Sequence, residues 1–147
     1  MVRILEDVYE IEKLKACYAD AVDGGWSGAV AHDADAVIAL FTADGIWDSG
    51  AFGGGEGHRG IREFLATGQA IMPFAFHHIT SPKIEVDGDE ARGHWHAILA
   101  VTIDTGAKLH VGTYNDQFVR TQDGWKFKSL SFTLSASTNL PEPWEIF

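Results

Sequence analysis

The chain has 147 residues, 46% of them hydrophobic, and sets 11 basic residues against 21 acidic ones for a net charge of -10. That length predicts a single domain over residues 1–147 with a core of its own. The acidic balance disfavours nucleic acid and anionic membrane surfaces as partners. No apolar run approaches the ~18 residues of a membrane helix, and the opening MVRILEDVYE does not read as a signal peptide. The one cysteine, Cys17, excludes an internal disulfide and an all-Cys metal site, which fits a reducing, cytoplasmic setting.

The first helix is predicted over residues 3–23. Ile4, Val8, Ile11, Leu14, Tyr18 and Val22 fall on one face, and Gly24-Gly25 stops it. A second helix is expected from an Asp33 or Asp35 cap through Val37, Ile38, Leu40 and Phe41. Asp44-Gly45 then turns into a short strand, Ile46 to Asp48. Ser49 to Gly60 holds six glycines and reads as a flexible loop. A third helix is expected from Ile61 to Ile71, ending before Pro73.

Beyond it the pattern is β. Strands are predicted at 77–87, 90–104, 108–121 and 125–136, divided by the turn signals Asp87-Gly88-Asp89, Thr105-Gly106 and Asp123-Gly124. Helices first and strands afterwards predict an α+β domain. About three N-terminal helices should pack in a curved, mostly antiparallel sheet and close a cone-shaped α+β barrel whose mouth is the pocket. On the 90–104 strand, Trp95, Leu99 and Val101 are placed inward, and His94 and His96 outward. On the 108–121 strand, Leu109, Val111, Thr113, Asn115 and Gln117 alternate with His110, Tyr114, Asp116 and Phe118, and both faces are partly apolar.

Three residue types stand out for proton transfer without a cofactor: Asp23, Tyr18 and the pair His77-His78. A solvated helix-end Asp and a core Tyr are the commoner roles for the first two. Asp23 near an imidazole would instead orient the ring, and Tyr18 could donate a proton to a carbonyl. Only one of His77 and His78 can face a pocket. Simple alternation puts His78 in phase with Ile84 and Val86, but a bulge at Pro82 would reverse the phase, so the pattern leaves the choice open. His94, His96 and His110 could suggest a metal site, but they are expected outside the cone with no Cys or carboxylate set to complete it, so no metal is expected. Gly53-Gly54-Gly55 lacks the phosphate-loop order, and no G-x-S-x-G elbow is present.

The segments IEKLKACYADAVDGGW, DADAVIALFTADGIWDSG, GHRGIREFLA, HHITSPKIEVDGDEARGHW and GTYNDQFVRTQDGWKFKSL, in that order, resemble the SnoaL-like branch of the nuclear transport factor 2-like superfamily. The resemblance covers nearly the whole chain and implies a cone of one sheet and about three helices. Enzymes of this superfamily include scytalone dehydratase, hexachlorocyclohexane dehydrochlorinase and bile acid 7α-dehydratase, which use an Asp–His dyad without metal or cofactor. By resemblance the dyad falls on Asp23 and His77, followed by Glu85. The assisting tyrosine falls on Tyr18, and a site asparagine on Asn115 with Thr113 beside it. The chain departs from these enzymes at Val101, Leu99 and Val22, and its more apolar wall suits a hydrophobic or cyclic substrate.

These readings converge on a lyase or isomerase acting on a small molecule, with Asp23, His77 and Tyr18 catalytic and Phe41, Trp47, Phe64, Trp95, Val101, Thr113 and Asn115 lining the pocket. The rivals are a ligand-binding module without chemistry and an accessory subunit whose convex face (His94, His96, Tyr114, Phe118) contacts another chain. A homo-oligomer, trimer or dimer, is expected by resemblance. The terminal Pro141, Pro143 and Trp144 would form a lid or dock on a neighbour.

Overall fold

The computed structural model describes residues 1–23, 33–104 and 106–145. Helix α1 (Val2–Val22) buries Ile11, Tyr18 and Val22 along one stripe. The same stripe carries two charged residues that the apolar pattern passed over, Asp7 and Lys15. Ile4 was expected in the stripe but is exposed, as are Val2 and Leu5 beside it. The Asp23 N–H donates to the Ala19 carbonyl at 3.1 Å and ends the helix. Gly24-Gly25, the expected stop, lies outside the described residues.

Helix α2 (Ala34–Ala39) is capped by Asp33, whose carboxylate accepts from the Ala36 N–H at 3.0 Å. It is shorter than expected, because Phe41 already opens strand β1 (Phe41–Asp48). The glycine-rich segment is not a loose loop. It forms a 3-10 turn (Gly50–Phe52) and strand β2 (Gly54–Glu56), and helix α3 (Gly57–Ile71) starts four residues earlier than expected. Glycine content signals backbone freedom, and here that freedom serves close approach. A Cβ on Gly55 would lie 2.2 Å from the Gly60 carbonyl oxygen, so a larger residue would push β2 off the start of α3.

Strands β3 (Phe74–Asp87), β4 (Glu90–Ile103), β5 (Gly106–Thr121) and β6 (Gly124–Asn139) form the expected meander. The sheet order is β2-β1-β6-β5-β4-β3, with β1 parallel to β6 and the other neighbours antiparallel. Three helices on this mostly antiparallel sheet make the expected α+β arrangement, but the sheet is mixed through the β1–β6 pair and stays open instead of closing the expected barrel, with β2 and β3 as its edges. The core gathers α1 and the inner sheet face: Tyr18, Tyr114, Phe118, Phe127 and Leu130 are all but inaccessible.

Two register facts position the site. The β3–β4 pairing shifts between Thr80 and Lys83, at the positive-φ Ser81 and Pro82. That bulge puts His77 and Ile79 on the same side as Ile84 and Val86, and leaves His78 exposed. On β5, Tyr114 pairs with Trp95 and His110 with Leu99. Directly opposed residues share a face, so His110, Tyr114, Asp116 and Phe118 point inward. The expected inward placement of Thr113 and Asn115 is therefore reversed, and Tyr114 and Phe118 are core residues rather than a convex contact face.

Candidate active site

Asp23 is carried at the end of α1 and His77 on β3, and the bulge at Ser81-Pro82 turns that histidine inward. Asp23 Oδ1 lies 2.6 Å from His77 Nδ1, and Asp23 Oδ2 accepts the His77 backbone N–H at 2.9 Å. The carboxylate thus fixes both the ring and the strand that carries it. Both side chains are largely buried, at 10% exposure for His77 and 2% for Asp23. A carboxylate facing Nδ1 holds the proton there and leaves the Nε2 lone pair free to take another.

Tyr18 stands beside this pair, its ring centroid 6.2 Å from the imidazole. Its hydroxyl is 3.3 Å from that of Tyr114. Burial pushes the Tyr18 hydroxyl well above its usual range, and the neighbouring Tyr114 adds to the effect. Burial likewise raises Tyr114. Both phenols therefore stay protonated. One donates to the other, and the second proton is available to a ligand.

Beneath the phenols lies a buried ion pair. Lys15 Nζ donates to Asp116 Oδ2 at 2.7 Å, and Asp116 Oδ1 accepts from the Ser131 N–H at 3.1 Å. The ammonium also sits 3.4 Å from the Tyr114 ring centroid, a cation–π contact. Burial lowers Lys15 to about 8 and raises Asp116. The contact with Asp116 opposes the loss of the Lys15 charge.

A cavity of about 330 Å³ opens beside these groups. Tyr18, Ser49, His77, His110 and Tyr114 are the polar or ionisable residues that border it, while Val22, Trp47, Phe64, Leu65, Leu99 and Phe132 make most of the wall apolar. The Trp47 indole is fixed by its N–H donating to Ser49 Oγ at 2.8 Å and by edge contacts with Tyr18 and Phe64. A second, more polar cavity of about 430 Å³ lies across the Asp23–His77 pair, against Lys15, Asp20 and His78.

The structure brings Asp23, His77, Tyr18, Trp47 and Phe64 together. It does not bring in the other expected lining residues. Phe41 stacks behind Trp47 at 6.0 Å. Trp95 faces the second cavity. Val101 is fully buried, and its carbonyl accepts the Trp144 indole N–H at 2.9 Å. Thr113 and Asn115 are on the outer face, where Asn115 Oδ1 meets His94 Nδ1 at 2.8 Å. Glu85 is exposed on β3. Trp144 docks against Phe74 and is not part of the cavity wall.

Residue-type reasoning missed Tyr114, Lys15, Asp116 and His110 as inner-face polar groups. The available signal was hairpin register. The short turn pairing Ile103 with Gly106 also pairs Leu99 with His110 and Trp95 with Tyr114. Among the described residues, no cluster of three or more His, Cys, Asp or Glu side chains is arranged to hold a metal, and no helix is long and apolar enough to cross a membrane.

A SnoaL-like domain model matches residues 3–131, so the chain belongs to the SnoaL-like family of the nuclear transport factor 2-like superfamily. Among solved structures, a type 2 hexachlorocyclohexane dehydrochlorinase superposes with a TM-score of 0.86 at 17% identity, over 98% of this chain and 96% of that one. A Novosphingobium aromaticivorans protein provisionally assigned as a scytalone dehydratase gives 0.80 at 19%, over 95% and 92%. Another from the same species, provisionally assigned as an aromatic ring hydroxylase, gives 0.78 at 27%, over 92% and 94%. These likenesses establish a shared fold across differently assigned activities.

Proposed function

We propose that the chain is a cofactor-independent lyase or isomerase that removes a proton from carbon in a small, largely apolar cyclic substrate. The observation that carries this reading is the Asp23–His77 pair, with His77 bordering a largely apolar cavity. His77 Nε2 takes the proton from a carbon next to a carbonyl. Asp23 holds the ring and stabilises the imidazolium that forms. The Tyr18–Tyr114 hydroxyl pair donates to the carbonyl oxygen as negative charge develops there. In an elimination, the electron pair left on carbon then expels a leaving group from the neighbouring carbon. In an isomerisation, a proton returns elsewhere. The dehydratase and dehydrochlorinase assignments of similarly folded proteins agree with the elimination branch.

The test is turnover of β-hydroxy and β-halo cyclic ketones, followed by release of water or halide. Activity in the wild type and its collapse in His77→Ala and Asp23→Asn supports the reading. Undiminished turnover in either variant overturns the assignment. Saturable binding of the whole panel without turnover moves the chain to the ligand-binding alternative.

A further inference from the structure

His110 is a second imidazole at the cavity that the proton-transfer reading does not use. The pairings His77 with Leu99, Leu99 with His110, and His110 with Ser137 set these four residues in one row across β3, β4, β5 and β6. His77, Leu99 and His110 all border the cavity. Adjacent strands are ~4.8 Å apart, so the two histidine Cα positions stand roughly 10 Å apart, about the span of a ring compound with its substituents.

The two rings are held alike. Asp23 meets His77 Nδ1 at 2.6 Å, and Ser137 Oγ meets His110 Nδ1 at 2.8 Å. His110 is only 3% exposed. Its Nε2 is buried and has no hydrogen-bond partner among the described residues. Such groups are rare in folded proteins and call for an explanation. The Phe52 ring covers this imidazole at 5.4 Å between centroids. Phe52 is itself 37% exposed and belongs to the 3-10 turn between the positive-φ residues Gly50 and Gly53. Phe52 and His110 both border the cavity.

We propose that His110 Nε2 binds a hydroxyl group of the ligand, so that the cavity takes hydroxylated ring compounds, with the hydroxyl at the end opposite His77. The hydroxyl is favoured over a carbonyl by donor logic. The Ser137 hydroxyl can either donate to Nδ1 or accept from it, so Nε2 is left as donor or acceptor accordingly. A ligand hydroxyl satisfies both cases, whereas a carbonyl satisfies only one. The inference rests on the reading of this cavity as the substrate site, but not on His77 acting as a base.

The test compares binding of 2-naphthol and naphthalene by equilibrium dialysis to the wild type, His110→Leu and His110→Gln. The quantity read is the affinity ratio of the two ligands, which cancels their shared apolar contacts. The expected result is a ratio that falls about tenfold in His110→Leu and is partly kept in His110→Gln. The His110 ring-nitrogen resonances of the wild type should also move on adding 2-naphthol and not on adding naphthalene. An equal ratio in wild type and His110→Leu, or unmoved His110 resonances with ligand bound, overturns the inference and leaves the cavity as the substrate site. Binding of neither ligand by the wild type overturns both.

Discussion

Asp23 grips His77 twice, through the ring nitrogen at 2.6 Å and the backbone N–H at 2.9 Å. A carboxylate has two acceptor oxygens, and both are used on one residue. Asp23→Asn keeps the shape but replaces one acceptor with an NH₂ donor. Facing Nδ1, that donor forces the imidazole proton onto Nε2, the wrong nitrogen for a base. The expected loss in kcat is on the order of 10³–10⁴-fold by analogy with the triad aspartate. It is measured by steady-state kinetics on any substrate found, with the fold checked by circular dichroism.

Tyr18 and Tyr114 share one hydrogen bond at 3.3 Å, so they should act as a unit. Tyr18→Phe and Tyr114→Phe are each expected to lower kcat roughly 10²-fold, the scale of losing one donor to a developing oxyanion. The double variant should lose less than the product of the two. Kinetics on all four proteins gives the coupling directly.

The Lys15–Asp116 pair is buried on both sides, at 3% and 0% side-chain exposure. Lys15→Met strands a carboxylate in the core and should cost about 3–5 kcal/mol in urea unfolding. Lys15→Met combined with Asp116→Leu removes both desolvation costs and should return to within about 2 kcal/mol of the wild type. If the single variant costs no more than the double, the pair is not the closed unit described.

His110 carries a pH signature. Burial, and then the charge of Lys108, lowers its folded-state value below the usual 6.5. Between the two values the unfolded chain binds the proton and the folded one does not. This contribution to stability is therefore complete above pH ~6.5 and is lost as pH falls towards the folded value. Stability measured between pH 7.5 and 5 should decline less in His110→Leu than in the wild type, once the loss at pH 7.5 is subtracted.

Much of this arrangement was legible in the chain. The stripe through Ile11, Tyr18 and Val22, a cap at Asp33 or Asp35 and the three hairpin turns gave the element order, because each is a local signal. What was not legible depended on register. The phase of His77 turns on one bulge at Ser81-Pro82, and simple alternation favoured His78. The inward face of β5 follows from the β4 pairing, and reading the strand alone put Thr113 and Asn115 on the wrong side. Lys15 was passed over because a lysine in an apolar stripe reads as surface. Only its partner Asp116, 101 residues away, explains its burial.

Proton removal from carbon by His77 is the central proposed step, and hydrogen–deuterium exchange reads it without knowledge of the natural substrate. In D₂O, 2-tetralone should exchange its protons next to the carbonyl faster with the wild-type protein than in buffer alone. His77→Ala and Asp23→Asn should return the rate to that of buffer. Exchange that persists in both variants, or a wild type that binds 2-tetralone without accelerating exchange, would contradict the account.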